Sequence, residues 1–194
     1  MTTIATALTA RLREIDRCAL EAHFLSLGGE DRGLRFGSSI SEDGLREYVA
    51  RIDFEHDGIF GVHDDEMELL AVIHVAFSDD SAELGLSVVP EARGMGLGSA
   101  LLVRAMTHLR NRGTPEVFVH CLTENGAMMH LAHKHGMRII PAGDETDARL
   151  AIDPPDAHSL FAEWLNDSHA SAVQRLRRNA RFSRALLGIF APAR

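Results

Sequence analysis

The spacing of apolar and polar positions changes character several times along the chain. Residues 8–13 read as a short first strand. Over residues 15–27, Ile15, Ala19, Ala22 and Leu25 recur at helical spacing, and Gly28-Gly29 ends the run. Residues 30–39 read as a loop that turns Leu34 and Phe36 inward. Ser41 is a candidate N-cap for a helix reaching Ile52, with Leu45, Tyr48, Val49 and Ile52 on one face. The period then drops to that of strands, over residues 58–63, 67–77 and 82–89. Polar turns at Asp64-Asp65-Glu66 and Ser78-Asp79-Asp80-Ser81 separate them, the pattern of an antiparallel meander. A helix over 97–112 ends at Gly113-Thr114-Pro115, a buried strand occupies 116–122, and a second helix over 125–135 stops at Gly136. Short strands at 137–140 and 149–152 flank a polar loop. Asp153-Pro154-Pro155-Asp156 is the clearest break, and everything beyond it reads as helix.

That order implies a mixed α/β domain, one central sheet covered by helices. With 194 residues, 45% of them hydrophobic and 25% charged, the chain can bury one substantial core. No apolar run approaches the roughly 18 residues needed to cross a bilayer. The first residues lack a basic start followed by a long apolar stretch, and Cys18 and Cys121 cannot make a disulfide framework. A cytoplasmic location is therefore expected, with no membrane partner. The net charge of −8 argues against a general nucleic-acid binder. It is concentrated in residues 1–80, where 7 arginines face 17 acids. The acids between Asp53 and Glu68 read as solvated turns, or as a field that attracts a cationic amine.

Chemistry is concentrated between Leu84 and Ala100. A strand ends at Val89, and Arg93-Gly94-Met95-Gly96-Leu97-Gly98-Ser99 then opens a helix. Glycines let a ligand approach the backbone, and the unpaired amides and dipole of a helix N-terminus favour an anion such as a pyrophosphate. A Walker loop would need a lysine after Gly98, where Ser99 stands. A dinucleotide fingerprint would need a third glycine in place of Ser99 and an acid at the end of the next strand, which Glu116 instead begins. By itself the motif also fits a glycine-rich helix start that binds nothing.

Arg93-x-x-Gly96-x-Gly98 resembles the acyl-CoA motif Arg/Gln-x-x-Gly-x-Gly/Ala of the GNAT N-acetyltransferases. Asn125-x-x-Met128-x-x-Leu131-x-x-x-x-Gly136-Met137 is similar to a second motif of that family. The resemblance spans residues 8–152. The segments LRFGSSIS and AELGLSVV look most like the catalytic domain of bacterial protein-lysine acetyltransferases. The resemblance implies a GNAT-like, mostly antiparallel sheet flanked by helices over residues 1–153; the helical extension over 154–194 runs past the family's usual end. The resemblance further implies an acetyl-CoA-dependent transfer to a primary amine, on a small molecule or a protein lysine, by direct attack in a ternary complex. Arg93 and the amides of Gly94, Met95, Gly96, Leu97, Gly98 and Ser99 would bind the pyrophosphate of CoA. Val88 and Val89 would hydrogen-bond the pantetheine arm, one amide polarising the thioester carbonyl, and Asn125 would contact the same arm.

An ammonium is not a nucleophile at neutral pH, so transfer needs a base. Glu83 resembles the family's water-assisted base, and strand alternation sets it with Gly85 and Ser87 on the polar side. The chain departs from the family at Ala132, where many members carry a tyrosine as acid. Water, His130 or His133 are the substitutes, and a non-catalytic acyl-CoA sensor is the alternative function that Ala132 favours. No metal is expected: His130, His133 and His135 do not share one helical face, and no H-E-x-x-H motif exists. Cys121 reads as core. In the extension, Leu160, Phe161, Trp164 and Leu165 cluster on one face. Val173, Leu176, Ala180, Ser183, Leu187 and Phe190 form a second stripe among Arg175, Arg177, Arg178, Arg181 and Arg184. That stripe is narrow and carries Ala and Ser, so packing on the domain or pairing with a second copy is expected rather than a membrane surface.

Overall fold

The computed structural model describes residues 7–189, with side chains described as far as Gln174 and at Leu176. Among the described residues, seven strands form one sheet in the order β1-β2-β3-β4-β5-β7-β6. They are β1 Ala10–Arg11, β2 Gly58–His63, β3 Leu69–Phe77, β4 Ser81–Val88, β5 Glu116–Leu122, β6 Arg138–Ala142 and β7 Glu145–Ala151. Every pair is antiparallel except β4 with β5. The helices are α1 Arg17–Ser26, α2 Gly29–Phe36, α3 Glu42–Arg51, α4 Leu97–Asn111, α5 Gly126–Lys134 and α6 Ala157–Ile189. The mixed α/β architecture expected from the element order, and the mostly antiparallel sheet that the resemblance implies, are the ones observed.

Strand alternation sorts the side chains of the meander onto two helical layers. Phe60 of β2 packs edge-on against His108 of α4, while His23 of α1 reaches Ser87 of β4 from the opposite face. Leu20, Phe24, Leu45, Ile59, Ile73, Leu84, Leu101 and Leu109 are completely or almost completely buried between these layers. Ser41 caps α3 as expected, its hydroxyl accepting from the Gly44 amide at 3.1 Å.

Two stretches expected to be loops are regular. Residues 29–36 form α2, which has no fully buried residue. Its two glycines and mixed charges give no apolar stripe in the sequence, but Glu30 and Asp31 in its first turn and Arg35 in its last complement the dipole. The polar loop expected between 140 and 149 is a tight hairpin of β6 and β7, turned at Gly143 with φ of +72°. Its inward positions are Thr146 and Ala148, too small and polar to announce a strand. The first strand is also shorter than expected, reduced to Ala10–Arg11.

The extension docks by its polar face. Arg104, only 2% exposed in its side chain, donates from α4 to Glu163 at 2.8 Å and to Asp167 at 2.5 Å. His108 and Asn111 also bond to Glu163, and Ala170 is buried one turn further on. The apolar cluster faces solvent instead: Phe161 and Trp164 stack on each other while 59% and 62% exposed. Beyond Leu176, the second stripe and its arginines lie outside the described side chains.

Burial alone would push the Glu163 carboxyl up, but hydrogen bonds from His108, Asn111 and Arg104, with the Arg104 charge, hold it at about 2. A carboxyl depressed on folding contributes stability above its unfolded value, and that contribution disappears as pH falls through the folded value. The stability advantage of the wild type over Glu163→Gln in urea unfolding is therefore expected to be full above pH 4.5 and to vanish towards pH 2. Glu163→Ala, which strands a buried cation, is expected to cost about 3 kcal/mol at neutral pH. An advantage independent of pH would show that this network does not anchor α6.

Candidate active site

The site begins where two strands part. β4 and β5 pair only at Ser81–Glu116, Ala82–Val117 and Glu83–Phe118, although β4 continues to Val88 and β5 to Leu122. On its other edge β4 stays in register with β3 as far as Val88. Amides of successive residues in such a strand point to opposite edges. The Val89 amide donates to Leu70 O at 2.9 Å, so the Val88 amide faces the opening instead. This corrects one expectation: Val88 can offer a donor to a thioester carbonyl, whereas the Val89 amide is already bonded to β3. Alternation of side chains was legible in the sequence, but the direction of each amide depends on the register.

The glycine segment closes one end of the opening. Gly94 and Gly96 adopt φ of +74° and +79°, a left-handed backbone that other residues resist, and Gly96 caps α4. None of the amides from Gly94 to Ser99 makes a hydrogen bond to an acceptor within the described residues. Leu97 is buried and borders the cavity, whereas Met95 is 61% exposed and does not line it. At Gly98 an added Cβ would approach Leu86 to 3.3 Å, so α4 and β4 pack closely there. The Ser99 hydroxyl lies 2.8 Å from His135 Nε2 and accepts from Lys134 Nζ at 3.3 Å, which brings positive charge to the helix start.

These groups border a cavity of about 490 Å³, lined also by Leu86, Val88, Leu131 and His130. Arg93 reaches across its mouth to Asp31 of α2 at 2.5 Å and donates to Val88 O at 3.4 Å. Asn125 lines the cavity as expected, but both ends of its amide are engaged. Its oxygen accepts from the Met128 amide at 3.0 Å, capping α5, and its nitrogen donates to Leu34 O at 3.3 Å. Ala132 is fully buried and offers no proton, and of the two substitute acids only His130 lines the cavity. Burial pushes the Cys121 thiol pKa up, and its sulfur lies 3.7 Å from Met129 in the core. Among the described residues no three His, Cys, Asp or Glu side chains gather in a metal-like cluster, and no helix is long and apolar enough to cross a membrane.

Glu83, at the last paired position before the strands part, borders a second pocket of about 220 Å³. Arg35, Tyr48, His74, Gly85 and His120 line it too. A hydrogen-bonded chain runs behind it. His74 Nε2 lies 2.9 Å from Asp57 and its Nδ1 lies 2.7 Å from the Tyr48 hydroxyl, which accepts from Arg35 Nη2 at 3.0 Å. Burial lowers the His74 pKa against the pull of Asp57, so the ring is neutral near pH 7. Its Nε2–H then donates to Asp57, and the Tyr48 hydroxyl donates to Nδ1. His120 is held protonated more readily than usual by its hydrogen bonds to Asp147 and Glu145. Sequence reading missed Arg35, Tyr48 and His74 as site residues, and counted Asp57 only among the acids that could attract a cationic amine. Tyr48 sits on an apolar helical stripe, and the available signal was a lone histidine within the apolar run of β3.

Residues 30–137, from α2 through both cavities to the end of α5, match the Acetyltransferase (GNAT) family. No curated protein sequence matches the chain significantly. The structure is similar to the GNAT domain of S. lividans PAT, with 18% identity and a TM-score of 0.64 over 74% of this chain and 89% of that one. Spermidine N-acetyltransferase from Vibrio cholerae, in complex with CoA and spermine, gives 20% identity and 0.59 over 74% and 94%. The ribosomal-protein-S18-alanine N-acetyltransferase from Escherichia coli gives 20% and 0.58 over 77% and 96%. With a match that spans more than half its length and includes the parted strands and the glycine segment, the chain belongs to the Acetyltransferase (GNAT) family.

Proposed function

We propose that the chain transfers an acetyl group from acetyl-CoA to a primary amine by direct attack in a ternary complex. The observation that carries this reading is the parting of β4 and β5. It leaves the Val88 amide and the glycine segment facing one cavity, with Glu83 opening on a second pocket at the apex. A diphosphate fits the glycine segment, where free amides meet a helix N-terminus with Lys134 nearby. The Val88 amide then polarises the thioester carbonyl. Glu83 takes the proton of the incoming ammonium through water. The amine nitrogen bonds to the carbonyl carbon, the carbon–sulfur bond breaks, and the proton that the new amide nitrogen sheds passes through water to the departing thiolate, which at a pKa of about 8.5, by analogy with cysteine, needs little help to leave. Two of the similar structures are an N-acetyltransferase of spermidine and one of a ribosomal-protein alanine, which supports an amine acceptor.

Buried Ala132 favours a second reading, an acyl-CoA sensor without turnover. CoA release, measured while acetyl-CoA and an amine are varied together, separates the two. Double-reciprocal lines that intersect are expected for a ternary complex, and parallel lines would exclude direct attack. Tight binding of acetyl-CoA with no release across small amines and lysine peptides would establish the sensor.

A further inference from the structure

The acetyl transfer gives Arg35 no role, yet the fold makes room for it. Its guanidinium lies on β4 over Gly85, where a side-chain carbon would overlap it. It stacks on Phe36 at 4.7 Å from the ring centre, with Phe24 and Tyr48 each at 5.8 Å. No carboxylate of the described residues is ion-paired with it, its Nε is buried without an acceptor, and its one side-chain bond goes from Nη2 to Tyr48. Five N–H groups in a planar fork match a carboxylate bidentately, and arginine keeps its charge at any ordinary pH. The chain from Asp57 through His74 to Tyr48 fixes one arm of that fork, and Arg35 lines the pocket that Glu83 shares, its Nη1 unbonded among the described residues.

We propose that Arg35 is a carboxylate-binding group of the acceptor pocket, so that the acceptor is an amino acid presenting its amine to Glu83 and its carboxylate to Arg35. The pocket of about 220 Å³ suits a small zwitterion, with the two opposite charges supplied by one α-helix and one strand. The inference rests on the acceptor-side reading of this pocket. Arg35 also borders the cofactor cavity, so a carboxylate carried on the acyl group is the other source of the same chemistry.

The test uses the full chain saturated with CoA, titrated calorimetrically with common L-amino acids and with their decarboxylated amines. At least one amino acid is expected to bind tenfold or more tightly than its amine, roughly one carboxylate pair's worth. Arg35→Met should abolish that difference. Tyr48→Phe, which keeps the ring packed on Phe24 and Phe36, should narrow it, and in turnover should raise the amino acid KM while kcat stays. Equal binding of both members of every pair, or no amino acid bound at all, overturns the proposal. So does an Arg35→Met effect confined to the affinity for acetyl-CoA or to a preference for succinyl-CoA. Amino acid binding that depends on Arg35 without CoA release would leave this subsite standing and remove the transfer reaction instead.

Discussion

Replacing Gly96 with tryptophan is expected to weaken acetyl-CoA binding by a hundredfold or more in calorimetry. Gly96 lines the larger cavity at φ of +79°, with nothing within 4 Å of an added Cβ, so the indole would enter open space rather than the core. The fold should persist, at a cost of about 1–2 kcal/mol for the left-handed backbone. What is lost is access to the unbonded amides of the loop. Charge-assisted hydrogen bonds contribute about 1.5–3 kcal/mol each, so two of them account for the expected loss. Equal affinities for wild type and variant would refute the assignment of this loop to the diphosphate.

A fall in kcat of about 10² at neutral pH is the second large expectation, for Glu83→Gln. Glutamine keeps the shape and the position at the apex of the parted strands, but cannot accept the proton that an ammonium must lose. Glu83 is exposed and borders the same pocket as Tyr48 and His74. Acetyl-CoA affinity should be nearly unchanged, because the loop amides are remote from this side chain. A pH–rate profile identical to the wild type would take Glu83 out of the mechanism.

The glycine segment was readable because its chemistry is local. Arg93, Gly94, Gly96 and Gly98 stand within six residues, after a strand and before a helix. The strands of the meander were readable because burial on both faces demands continuous apolar runs, as in Gly58–His63 and Leu69–Phe77. Arg35, Tyr48 and His74 were not, because only the fold gathers them with Asp57. Tyr48 follows the apolar face of α3 and reads as core until His74 and Arg35 arrive from other elements. The helix α2 escaped because nothing in Gly29–Phe36 is fully buried, so no stripe marks it. Val89 was misassigned for a different reason: two adjacent residues of a strand look equivalent in sequence, yet their amides serve different neighbours.

The fastening of α2 carries a consequence for how solution conditions act on the protein. At the cavity rim this helix is held to the glycine segment by a charge pair, Asp31 with half-exposed Arg93. Dissolved salt weakens attractions of that kind at exposed positions and scarcely touches a packed hydrocarbon interior. Ionic strength therefore bears on this wall of the cleft and spares the sheet beneath it. In this molecule the width of the entrance and the resistance to melting answer to different variables.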